Sequence, residues 1–270
     1  MTGSDRPSSP QTPRQSTELH PGGSEPQTPY QPGDAEAVGF YGKLPTLGDF
    51  VSRRLSAQFI QTWDQWLQEA LAESRAQLGH DWLNSYLVSP LWRFVLSPGI
   101  AGQAGWVGLL MPSVDRVGRY FPLTLVRSLA PEVDGFRLLS ASDWFGRLEG
   151  LALSSLDDGF QLHDFDAQLL SIPAPPLTMR RLPVNADGAR RDAWRLSAAS
   201  DAELRDACST LLQQALDDAF LGYSFWWTAG SERVAPSLLT CQGLPAADAF
   251  AAMLAGDWAA GGWTQLGEPG

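Results

Sequence analysis

A chain of 270 residues, 44% hydrophobic and carrying 11 tryptophans and 12 phenylalanines, has ample material for a buried core in one large or two small domains. Its formal net charge of -11 argues against nucleic acid and against anionic membrane as partners, since both require a basic surface. The two cysteines, Cys208 and Cys241, form no metal-spaced or disulfide pattern, and no apolar run reaches membrane-spanning length. With no secretory signal pattern at the N-terminus, the expected compartment is the cytoplasm.

Residues 1–37 hold seven of the twenty prolines, much Ser, Thr and Gln, and a charge of -3, from five acids against Arg6 and Arg14. Such a segment buries too little apolar surface to offset its ordering entropy, so it is expected as a disordered tail. The folded part is expected to span 38–270 as a single domain. Val38 to Tyr41 reads as a strand, followed by a Gly/Pro-punctuated loop to Arg54. Ser56 is placed to cap a helix to Leu78, in which Phe59, Trp63, Trp66, Leu67, Ala70 and Leu71 form one stripe. Trp82 to Leu87 reads as a short helical turn. Trp92 to Leu96, Trp106 to Met111 and Pro122 to Val126 are short apolar runs with the character of buried strands.

Helices are expected from Asp143 to Leu156 and from His163 to Leu170, with a Pro-rich irregular stretch from Ile172 to Pro183. Ser200 with Glu203 forms a capping box before a further helix, whose expected inward stripe is Leu204, Cys208, Leu211, Leu212, Ala215 and Ala219. On that pattern both cysteines read as small core residues. Tyr223 to Thr228 and Ala235 to Cys241 read as strands, and a last helix runs to Leu254. Alternating helices and strand groups indicate a layered α/β domain.

The usual catalytic signatures are missing: there is no phosphate loop, nucleotide fingerprint, nucleophile elbow or zinc-binding helix, and His20, His80 and His163 do not cluster. The expectation is a protein with no metal and no cofactor. Two segments concentrate polar residues against this background. One is Gly39 to Arg54, which contains Lys43, the only lysine in the chain, with Asp49, Arg53 and Arg54. A lysine where every other base is arginine raises the question of a compact, tunable amine. The other is Pro112 to Leu123, with Ser113, Asp115, Arg116, Arg119 and Tyr120 between two strands. These charges read either as an ion-pair latch, in which Asp115 and Asp49 hold the loop arginines, or as a site for a planar anion. The latch is the plainer account, since buried charges occur in pairs. Trp226-Trp227 is the third oddity: on a strand the rings point to opposite faces, so one enters the core while the other contacts a second layer or a protein partner.

GFYGKLPTLGDFVSRRL at 39–55, YLVSPLWRFVLSPG at 86–99 and MPSVDRVGRYFPLTL at 111–125 resemble the signature of the TagF family associated with type VI secretion. The part with Trp226-Trp227 and Cys241-Gln242-Gly243-Leu244-Pro245 is similar to the later part of that family. The resemblance implies a single three-layer α/β/α sandwich with no known catalytic activity. It further implies a cytoplasmic, post-translational negative regulator of type VI secretion, linked to the forkhead-associated scaffold protein of the apparatus. The family supplies no catalytic residues to carry across. The alternative, read from the residues alone, is a small-anion binder or enzyme that uses Lys43, Arg116 and Arg119.

Overall fold

The computed structural model describes Met1, residues 37–179, 196 and 199–267, with the side chains of 201–206 excluded. The expected tail therefore lies, apart from its two end residues, outside the described residues, as does part of the Pro-rich stretch. Seven strands form one antiparallel sheet: β1 (Gly39–Gly42), β2 (Val51–Arg53), β3 (Trp92–Leu96), β4 (Gly105–Met111), β5 (Leu123–Leu129), β6 (Tyr223–Thr228) and β7 (Ser237–Gln242). Their order across the sheet is β2-β1-β5-β4-β3-β6-β7. The α-helices are α1 (Ala57–Leu78), α2 (Trp82–Leu87), α3 (Ser142–Ser154), α4 (Leu162–Ser171), α5 (Asp201–Ala219) and α6 (Phe250–Ala255).

Both faces of the sheet are covered, which makes the three-layer sandwich. One core packs α1, α2 and α6 through Phe59, Trp63, Trp66, Phe250 and Met253 onto Phe94, Leu110 and Trp226. The other packs α3 and α4 through Phe145, Leu148, Phe165 and Leu169 onto Phe40, Val107, Leu109 and Phe225. Alternate residues of a strand serve opposite cores, so β1 sends Phe40 to one and Tyr41 to the other. Continuous apolar runs, usual in parallel sheets, here mark an antiparallel sheet buried on both sides.

α1 begins as its sequence dictates, with Ser56 Oγ accepting from the Phe59 amide at 3.2 Å. β2 is an addition to the expected elements. The loop after β1 folds back and pairs Val51 with Gly42 and Arg53 with Phe40. α5 departs from the expected stripe. Cys208, Leu211, Leu212, Ala215 and Ala219 are exposed, while Ala207 is buried and Leu216 and Phe220 pack on the core. Leu216 and Phe220 dock the end of the helix on the core, which leaves Ala207 and Gln213 buried and Leu211 and Leu212 facing out; the Leu204 side chain lies outside the described residues. Cys208 is therefore no core residue, and Cys241 is half-buried against Ser224. Trp226 is fully buried in the α1 core, and Trp227 packs edge-on against Phe145 of α3 at 4.9 Å. The second ring thus meets a covering layer, not an open surface.

Candidate functional site

The two polar segments of the sequence meet at one end of β1 and β5. Gly42 closes β1 with φ 135°, and a Cβ there would stand 2.1 Å from the Pro122 carbonyl oxygen. Only glycine lets the two backbones approach this closely. Lys43 follows at once and is turned inward. Its Nζ donates to Asp115 Oδ2 at 2.9 Å, and its side chain is 7% exposed against 0% for Asp115.

The second loop is built around the Asp115 carboxylate. Val114 and Tyr120 form a bridge, and the Asp115 amide donates to the Arg119 carbonyl at 3.0 Å. Gly118, at φ 84°, completes the turn by donating to the Asp115 carbonyl at 3.0 Å. Asp115 Oδ1 accepts from the amides of Val117 at 3.0 Å and Arg119 at 2.9 Å. Oδ2 accepts from Lys43 and, at 2.6 Å, from Arg119 Nε. Four donors match the roughly four lone-pair positions of a carboxylate. Burial alone would raise the Asp115 pKa. The amide of Arg119, the Lys43 ammonium, the Arg119 guanidinium and the Val117 amide outweigh it and hold the carboxyl well below the usual carboxylate range.

The loops are also sewn together through their backbones. Arg119 Nη2 donates to the Gly48 carbonyl and stands 3.9 Å from Asp49, while the Arg116 amide donates to the Leu47 carbonyl at 2.9 Å. Ser113 Oγ donates to the Lys43 carbonyl at 2.7 Å. Ser113 is braced in turn by Tyr86, whose hydroxyl donates to its carbonyl at 2.8 Å and accepts from its amide at 2.9 Å. Tyr120 packs its ring edge-on against Trp82 and Tyr86 at 5.9 and 5.7 Å.

The structure thus brings together Lys43, Asp49, Ser113, Asp115, Arg116, Arg119 and Tyr120. Arg53 and Arg54 are placed elsewhere. Arg54, a non-glycine residue at φ 57°, donates through Nε to the Val38 carbonyl and pairs through Nη1 with Asp166 of α4 at 2.6 Å. Arg53 Nη1 donates to the Ser52 carbonyl at 3.0 Å. Trp226 and Trp227 belong to the two cores. Two residues absent from the sequence reading complete the site. Phe50, 44% exposed, stacks on Tyr41 at 5.7 Å, meets Phe121 edge-on and lies 5.0 Å beneath Lys43 Nζ. Tyr86 supplies the brace just described. Both sit inside the long motif stretches, but neither is charged, so the charge pattern of the sequence does not mark them.

Among the described residues, no group of three or more His, Cys, Asp or Glu is placed to hold a metal ion, and no helix is long and apolar enough to cross a membrane. Comparison with known proteins adds the family. Residues 39–172 match the TagF N-terminal domain, type VI secretion system-associated. The crystal structure of PA0076 from Pseudomonas aeruginosa PAO1 superposes with a TM-score of 0.74 at 39% identity, covering 87% of this chain and 99% of that one. The chain belongs to the TagF family. No curated protein matches it. Both latch loops fall within the matched TagF segment, whereas α5, β6, β7 and α6 lie beyond it.

Proposed function

We propose that this TagF chain is a non-enzymatic regulator that restrains type VI secretion after translation, by binding a forkhead-associated scaffold component of the apparatus in the cytoplasm. Residues 38–270 act as one unit in this role, following a tail at 1–37. The observation that carries the reading is the state of Asp115. Its lone pairs are taken by four donors and its pKa is depressed, so it is a poor general base. Lys43, the one candidate amine, is bound to that same carboxylate. The chemistry of the two loops is spent on holding a shape, which suits a surface that is recognised more than one that reacts. The small-anion alternative loses support on the same grounds, because two of its three cations, Lys43 and Arg119, already serve Asp115.

The test is genetic and biochemical. Deletion of the coding region is expected to raise effector secretion with unchanged transcripts of the secretion components. The purified chain is expected to bind the purified forkhead-associated component. Unchanged secretion would end the proposal, and so would absence of binding.

A further inference from the structure

The latch uses up most of its charge internally, and what remains exposed is specific. Arg116 is exposed, and among the described residues its guanidinium forms no ion pair. Its backbone is nevertheless fixed by the bond to Leu47, and its Nη2 lies close to Gly48, where a Cβ would stand at 3.6 Å. Val117, next along the chain, is 65% exposed although its amide is held by Asp115. Phe50, 44% exposed, stands on the first loop two residues after Gly48, with its inner face fixed by Tyr41 and Phe121. An unpaired arginine, an aromatic ring and an aliphatic side chain thus stand exposed on the two loops that Asp115 ties together, on a backbone that is already ordered. Arginine and aromatic residues are enriched at interface cores, and pre-ordering lowers the entropy lost on binding.

Charge decides what these residues take. Lys43, Arg116 and Arg119 outnumber Asp49 and Asp115 three to two, so the cluster is net positive in a chain whose formal charge is -11. The planar fork of Arg116 matches a carboxylate. We infer that the rim formed by Arg116, Val117 and Phe50 is the docking surface for an acidic segment of the protein partner, in which an Asp or Glu carboxylate meets Arg116 and a neighbouring apolar side chain covers Val117 and Phe50. This rests on the regulator reading given above and assigns the contact within it. Asp115, Lys43 and Ser113 are positioning residues behind the rim, not contacts.

Isothermal titration of the full chain with the purified forkhead-associated component, at low and moderate salt, tests the assignment. Arg116→Glu and Val117→Asp are expected to weaken binding about tenfold or more. Both should keep the wild-type melting temperature to within about 2 °C, since neither side chain is buried. Wild-type affinity should fall with salt more steeply than that of Arg116→Glu. An oligoglutamate peptide should compete, and inorganic phosphate at equal charge should not. Wild-type binding by both variants would overturn the docking surface while leaving the regulator reading intact. Competition by phosphate alone would overturn the carboxylate partner. Failure of the wild-type chain itself to bind would remove the regulator reading, and this inference with it.

Discussion

Asp115 is buried, saturated with donors and shared by two cations, and its removal strands Lys43. Asp115→Ala leaves an ammonium that is 7% exposed without its counter-charge. The expected loss is about 3 kcal/mol in chemical denaturation, the low end for a broken buried pair because Arg119 is 56% exposed and can turn to water. The carboxyl also gives the fold an acid limb. Its pKa is depressed in the folded state, so its stabilisation is complete above the unfolded value near 3.8 and is lost progressively as pH falls below it. Asp115→Asn should be less stable at neutral pH and lose less on acidification, and a wild-type slope in the variant would contradict that. The single lysine also has a physical reason to be one. Arginine at 43 would keep the charge but not the compact shape of the amine. With Nζ 2.9 Å from Asp115 and 5.0 Å over the Phe50 ring, the larger planar guanidinium would overpack the site. Lys43→Arg is expected to cost about 1–3 kcal/mol, read from the denaturation midpoint.

At the scale of elements, the tryptophan doublet on β6 separates two kinds of burial. Trp226 is fully buried and donates to Ser224 Oγ at 2.9 Å, so Trp226→Ala should lose about 3–5 kcal/mol. Trp227 Nε1 is buried with no partner, so Trp227→Phe removes an unsatisfied donor and should change stability by less than about 1 kcal/mol. Equal losses from both changes, measured by urea denaturation, would contradict this account. Most elements were legible because a long stripe at helical spacing, as in α1, or a short apolar run bounded by Gly and Pro, as in β3 and β4, has few other ways to bury itself. β2 was not legible, since three residues carry no period and exist as a strand only through their pairing with β1. The inward face of α5 does not follow its apolar spacing, because the helix is docked through Leu216 and Phe220 at its end, and Leu211 and Leu212 are left facing out. At the site, opposite charges in two loops were readable, but their pairing across 72 residues was not. Arg54 resembles Arg119 in sequence, and only its left-handed backbone and the nearness of Asp166 send it away from Asp115.

At the scale of the molecule, the sheet joins segments far apart in the chain. β3 pairs with β4 on one side and with β6 on the other, so the segment matching the TagF N-terminal domain has an open edge at β3 without the later strands. A fragment of residues 38–172 would expose Trp63, Trp66 and Phe94, which lie against Trp226 and Phe250. It is expected to aggregate on size-exclusion chromatography, whereas 38–270 should elute as a folded species.

Trp63 and Trp226 stack 5.9 Å apart at an interplanar angle of 9°, one from α1 and one from β6. Two indoles fixed against each other in a packed core give near-ultraviolet circular dichroism only while that packing is held. The protein therefore carries a built-in optical signal for the docking of its later strands onto its first helix. That signal is separable from helix content, which the far ultraviolet reports on its own.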